Sequence, residues 1–172
     1  MENTEGILMT EIEKTICQNI SSNKGKVKIF WDMDGTCASM EMHKLAHKLD
    51  EGFFYSKRPI KTMIRLMEKF HKLGAQTYIL SFCGYSYQRE DKMNWLQKYC
   101  DFIAEDNIII IPRKESNVKS SDSKQTLKAE YLKDYVTSSD IVYMIDDNES
   151  VLLGTKEKLQ FINIVSPIDF IE

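Results

Sequence analysis

Asp32 and Asp34 stand one residue apart just beyond Val27–Trp31, five residues suited to a buried strand. Two more acids, Asp146 and Asp147, close a second apolar run, Ile141–Ile145, and Ser81 closes a third in "AQTYILS". Side chains two apart on an extended chain share a side, so Asp32 and Asp34 can act on one reacting group. Four carboxylates gathered at one place repel one another and hold their protons tightly unless a cation lies among them. Magnesium suits such a set, because it takes oxygen ligands, keeps several waters and is held by one or two carboxylates plus phosphate oxygens. A phosphoryl group in that position needs an in-line nucleophile, a proton donor for the leaving oxygen and donors for its equatorial oxygens. Asp32 can attack phosphorus to give an aspartyl-phosphate, while Asp34 can protonate the leaving group and then activate water. Ser81 offers a hydroxyl, a lysine offers fixed positive charge, and Asp146 completes the cation site. Gly35 permits a turn that brings backbone N–H groups to the phosphate.

Competing readings of these residues are weaker. An EF-hand calcium loop counted from Asp32 would need glycine at its sixth position and glutamate at its twelfth, where Cys37 and His43 stand. Asp-x-Asp-Gly strings are common in turns, and this one gains weight only from Ser81 and Asp146 at other strand ends. His43 and His47 have a zinc-compatible spacing, but neither the glutamate of H-E-x-x-H nor a third ligand accompanies them, so zinc is set aside. Lys57, Arg58, Lys61, Arg65, Lys69 and Lys72 outnumber Glu68 and read as a solvated helix face, with steering of phosphate-bearing polymers as the second reading. The nine methionines read as core filling.

The elements that must position these residues alternate between strand and helix. Apolar spacing predicts an N-terminal helix over residues 5–21, within an extension covering 1–24. A helix follows Pro59, taken as its first residue, and stops at Gly74. "REDKMNWLQKYC" and "KAEYLKDYV" read as helices, and "NIIIIP", "DIVYMIDD" and "FINIV" as strands. Unbroken apolar strands alternating with helices imply an α/β class, a three-layer Rossmann-like fold around a mostly parallel sheet. Ligands then bind beyond the carboxyl ends of the strands, at the topological switch point. The 172 residues fit one domain. A net charge of −3 excludes the global basic field of non-specific nucleic-acid binders. Four scattered cysteines without a C-x-x-C pair argue against a disulfide framework. No window approaches the roughly 18 to 20 apolar residues of a membrane span, so a reduced, cytoplasmic protein without membrane association is expected.

"DMDGT" after a hydrophobic strand, "YILS" ending a second, a lysine ahead of a helix and "YMIDDN" ending a later strand resemble the four motifs of the haloacid dehalogenase superfamily of phosphohydrolases. The likeness covers residues 26 to about 165, and "EGFFYSKRPIKTMIRLMEKF" with "YILSFCGYSYQREDKMNWLQKYC" is similar to its small deoxyribonucleotidase-like and phage-type branch. The resemblance implies a magnesium-dependent phosphomonoester hydrolase, acting on nucleotides or phosphorylated nucleic-acid ends. It implies Asp32 as nucleophile and Asp34 as general acid/base, and it gives the magnesium to Asp32, the backbone carbonyl of Asp34, and Asp146. Gly35, Thr36, Ser81 and a lysine would bind phosphate, and Asp147 would be an auxiliary acid. Lys128 best fits the third-motif lysine, with Lys114 as runner-up and Lys124 as third choice. Departures in "CASM" and in the polar stretch before the lysine put the substrate, and not the chemistry, in doubt. A silent phosphate-binding module or a phosphotransferase are the alternatives, and the presence of both Asp32 and Asp34 speaks against the first. Small-molecule members close the site with an inserted cap. Here only Cys37–Lys57 is available for a minimal one, so an open site is expected unless a second subunit of a homo-oligomer covers it.

Overall fold

The structure, a computed structural model, describes residues 9–40, 50–113 and 124–171. Its elements run α1 (Glu11–Ser22), β1 (Val27–Trp31), α2 (Lys61–Leu73), β2 (Gln76–Cys83), α3 (Tyr87–Tyr99), β3 (Ile108–Pro112), α4 (Lys124–Leu132), β4 (Ile141–Ile145), α5 (Glu149–Lys158) and β5 (Asn163–Val165). The five strands form one sheet of order β3-β2-β1-β4-β5, and every pairing is parallel.

The two-residue period of the strands sorts the core into two faces. Val27, Ile29 and Trp31 of β1, with Ile79 of β2 and Tyr143 and Ile145 of β4, pack with Ile16 and Ile20 of α1, Met63, Met67 and Phe70 of α2, and Trp95 and Leu96 of α3. Phe30, Leu80, Val142 and Met144 face the other way, onto Leu127 and Leu132 of α4 and Val151 and Leu152 of α5. The result is the three-layer α/β fold expected from the sequence. Burying each large apolar side chain contributes about 1.5–3 kcal/mol, and these two faces together drive the assembly.

The chain moves outward from β1 through β2 to β3 and then crosses back to β4 on the other side, so the strand order reverses between β1 and β4. Trp31 is in register with Ile145, which sets Asp32 and Asp146, the next residues of each strand, side by side at the carboxyl edge. Acids at that edge face a crevice rather than the core, which is how strands can end on charge.

Several boundaries differ from the sequence reading. Helix α1 begins at Glu11 because Thr10 caps it, its hydroxyl accepting from the Glu13 N–H at 3.3 Å; residues 1–8 lie outside the described residues. Pro59 precedes α2 instead of opening it: it bridges to Ala38, while Ile60 donates its N–H to Cys37 at 2.7 Å, so the segment before α2 runs beside 37–39. Gly74 ends α2 as expected, in the left-handed conformation at φ 106°. Strand β2 continues two residues past Ser81, since Phe82 and Cys83 pair with Ile111 and Pro112. Helix α4 starts at Lys124 and ends at Leu132, so Lys128 lies in its second turn and not at its opening. Helix α5 carries no strong apolar period. Its start is set by Asn148, whose side chain accepts from the Val151 N–H at 3.2 Å, and Gly154 at its centre lets the Gln125 backbone of α4 approach where a Cβ would collide with it. No helix among the described residues is long and apolar enough to cross a membrane. All four cysteines are free thiols.

Candidate functional site

A cavity of about 300 Å³ opens at the carboxyl edge, lined by Asp32, Asp34, Ser81, Lys128, Asp146 and Asp147 together with Phe54, Tyr85 and Arg113. Most of the residues singled out in the sequence therefore meet, although they come from four separate stretches of chain.

Asp32 leaves β1 with its N–H bonded to the Ile145 carbonyl at 2.8 Å, which extends the ladder by one residue and fixes the side chain at the rim. Lys128 reaches up from α4, wholly buried, and donates to Asp32 Oδ1 at 2.5 Å and to Asp146 Oδ2 at 2.7 Å. Asp146 Oδ1 accepts from the Asn148 N–H at 2.9 Å, so both oxygens of that carboxylate are oriented. Burial pushes the Asp32 carboxyl up, Lys128 pulls it partly down, and Asp146 and Asp34 push it up again, leaving it above its usual range. Burial by itself would lower the Lys128 ammonium, but Asp32 and Asp146 outweigh it and hold it above the ordinary lysine value. Lys114 lies outside the described residues, and Lys124 opens α4 one turn before Lys128.

Asp147 is exposed as a residue, but its carboxyl lies against Gly35, and the partial loss of water there together with the charges of Asp32 and Asp146 raises it to about 6. Carboxylate oxygens of Asp32, Asp146 and Asp147 lie within 4.8 Å of one another. Among the described residues three acids here gather around one lysine, which leaves an excess of negative charge. That excess and an all-oxygen donor set fit a hard divalent cation. The carboxylates close enough together to hold one are Asp32, Asp146 and Asp147, whereas the sequence reading takes Asp32, Asp146 and the backbone carbonyl of Asp34 and leaves Asp147 as an auxiliary acid.

Gly35 has φ 85°, and a Cβ built there would collide with the Asp147 carboxylate. The glycine thus serves the acid cluster directly, by letting Asp147 lie against its backbone. Its N–H donates to Ala38 at 2.7 Å within the 33–38 turn. Thr36 is fully buried in that turn, and its Oγ1 has no hydrogen-bond partner among the described residues.

The side chain of Asp34 turns toward β2 and α3. Its Oδ1 accepts from Lys57 Nζ at 2.5 Å and its Oδ2 from Lys92 Nζ. Lys92 also donates to Ser81 Oγ at 2.9 Å. Burial would raise the Asp34 carboxyl, but Lys92 and Lys57 outweigh it and hold the group below the usual carboxylate range. Sequence reasoning missed both lysines. Lys57, grouped there with a solvated basic face, is 4% exposed and precedes the helix, with its ammonium 5.2 Å from the ring centres of Phe53 and Phe54. Lys92 is 0% exposed in α3. The mark that could have found it is helical spacing, since Gln88, Lys92, Trp95 and Leu96 form the buried face of α3.

Of the expected minimal cap over 37–57, residues 41–49, and with them His43 and His47, lie outside the described residues. Its described parts contribute Met40 and Phe54 to the cavity wall.

No protein-family model matches the chain, and no curated protein sequence matches it. Solved structures do, two of them as follows. A chain of the Pnkp1/Rnl/Hen1 complex aligns with a TM-score of 0.63 at 14% identity over 82% of this chain and 45% of its own length. A chain of the Pnkp1/Rnl/Hen1 RNA repair complex aligns with a TM-score of 0.60 at 16% identity, over 82% of this chain and 42% of its own. The chain thus spans less than half the length of these neighbours, and at such identity the likeness is one of fold.

Proposed function

We propose that the chain is a divalent-cation-assisted phosphomonoester hydrolase of the haloacid dehalogenase type, a single domain working through an aspartyl-phosphate on phosphorylated nucleic-acid ends or nucleotides. The observation that carries the reading is Asp32 at the switch point, with Lys128 bridging it to Asp146. An Asp32 oxygen attacks phosphorus, and the bond from phosphorus to the ester oxygen breaks. Asp34, the nearest acid on the same turn, supplies the proton to that oxygen and later takes one from the water that attacks the acyl phosphate, releasing inorganic phosphate and restoring Asp32. Lys128 and the Ser81 hydroxyl bind phosphate oxygens as charge redistributes. Asp32, Asp146 and Asp147 would hold magnesium, with the Asp34 carbonyl as a further ligand; bound there, the ion neutralises charge on the phosphoryl group.

Because two lysines keep Asp34 ionised, it suits the water-activating half of the cycle better than the protonating half. Esters whose leaving oxygen needs little protonation, such as aryl phosphates, should therefore turn over faster than alkyl phosphates. The fold likeness to chains of an RNA repair complex supports nucleic-acid ends as the substrate class. The test is a phosphatase screen over aryl phosphates, mononucleotides, sugar phosphates and oligonucleotides phosphorylated at either end, with and without magnesium and with Asp32→Asn as control. Magnesium-dependent release from oligonucleotide ends supports the reading. Release that persists without any divalent cation, or in Asp32→Asn, overturns it.

A further inference from the structure

We propose that Lys92 and Lys57 are positioning residues, a two-lysine clamp that holds the Asp34 carboxylate against α3 and out of the cation seat formed by Asp32, Asp146 and Asp147. The inference rests on the phosphoryl-transfer reading for its purpose, and on geometry alone for its existence.

Each lysine takes one oxygen of the same carboxylate, so the Asp34 side chain cannot rotate without losing an ion pair. Both ammonium groups lie over aromatic rings, that of Lys57 at 5.2 Å from the centres of Phe53 and Phe54, and the Lys57 backbone is fixed as well. Lys92 lies 4.6 Å from the centre of the Phe54 ring, and the indole N–H of fully buried Trp95 donates to the Lys57 carbonyl at 2.8 Å. Lysine is almost never fully buried without a partner. What is unusual here is the distribution. Among the described residues two buried lysines serve one acid, whereas the single Lys128 serves both Asp32 and Asp146, and Asp147 adds a third carboxylate to that group. Charge balance within the empty fold would favour a more even allotment. An uneven one creates a positive corner for the phosphoryl group and a negative corner for the cation, and it keeps the two from mixing.

The clamp also orients Ser81. Because Ser81 Oγ accepts from Lys92, its own proton must point elsewhere, and Ser81 lines the cavity. One helix, α3, thereby sets both a proton-transfer group and a phosphate donor.

A merely structural role and a positioning role separate in cation affinity, read by calorimetric titration with manganese or magnesium alone. Asp34→Asn should leave that affinity within about twofold of wild type, since its carboxylate lies outside the seat; a larger loss overturns the proposal. Lys92→Met should bind the cation about tenfold more tightly, as a freed carboxylate joins the seat. The gain should vanish in Asp34→Asn/Lys92→Met. Unchanged or weaker binding by a folded Lys92→Met overturns the clamp. If circular dichroism shows that variant unfolded, Lys57→Met carries the same expectation. Toward an aryl phosphate, Lys92→Met should lose about 10²-fold in kcat with KM changed less than about threefold, and Lys92→Arg should regain most of it. Should wild type hydrolyse no phosphate ester, the proposed function fails while the titrations still decide the clamp.

Discussion

At the β1–β4 corner of the site Asp32 and Asp146 share Lys128 with a third carboxylate, Asp147, beside them, whereas at the β2–α3 corner two lysines share Asp34. The first corner is electrostatically unfinished: Asp32 and Asp147 titrate above their usual range, and a further cation would relieve them. The second is complete, with its acid held below the usual range. Asp32 and Asp34 both follow directly on β1, yet these side chains two apart in sequence occupy opposite environments. Motif spacing alone treats Asp32 and Asp34 as a pair, but the helices packed behind them give each its own chemistry. In this structure α4 equips Asp32 and α3 equips Asp34.

The comparison can be broken most severely at Asp32. Replacing it with Asn would remove the proposed nucleophile and one proposed cation ligand, so turnover should fall at least about 10³-fold; a variant within tenfold of wild type would show that the attacking group lies elsewhere. Lys128→Met should cost about 10²-fold in turnover and, by leaving two buried acids unpaired, about 3–5 kcal/mol of stability in denaturant titrations without divalent cation. Millimolar magnesium should recover part of that stability loss, since the proposed cation seat uses the same acids. A stability loss indifferent to magnesium would argue that Lys128 and the cation do not share ligands. Gly35→Ala is milder. The positive φ costs about 1–2 kcal/mol, and displacement of Asp147 should weaken magnesium dependence of turnover more than turnover at saturating magnesium.

The smallest effect concerns Asp147, whose carboxyl is raised to about 6 in the folded chain. A raised acid favours the folded state only when protonated. Its contribution is fully present below the unfolded value near 4 and is lost as pH rises through about 6. Asp147→Asn should therefore match wild-type stability at pH 4 and exceed it at pH 8, by no more than about 1 kcal/mol because the residue is exposed. Thermal melts across that range check it, and magnesium should shrink the difference. A stabilisation that is the same at pH 4 and pH 8 would mean that the charge is not the cause.

How far these corners are legible in the sequence depends on the signal each leaves. The strands are legible because parallel strands buried on both faces must be apolar throughout, as Ile108–Ile111 and Ile141–Ile145 are. Asp32, Ser81 and Asp146 are legible because they interrupt that pattern at strand ends. Lys128 can be read from its distance to Asp146, although the true start of α4 cannot, since "SKQTLKAEY" has little apolar period to mark it. Helix α5 escapes for the same reason, with a glycine at its centre chosen by contact with α4. Lys57 and Lys92 are the hardest. A lysine in polar sequence carries no mark of burial, and only the register of Lys92 with Trp95 and Leu96 hints that it turns inward. Tertiary neighbours, not local pattern, decide which lysines become buried counter-ions.

The most direct measurement is the mass of the protein quenched in acid during turnover of an aryl phosphate with magnesium, followed by peptide mapping. A phosphoryl adduct on the peptide that carries Asp32, absent from Asp32→Asn and accumulating in Asp34→Asn, where the water-activating step is slowed, is the expected result. Turnover with the adduct on any other residue would contradict covalent catalysis by Asp32.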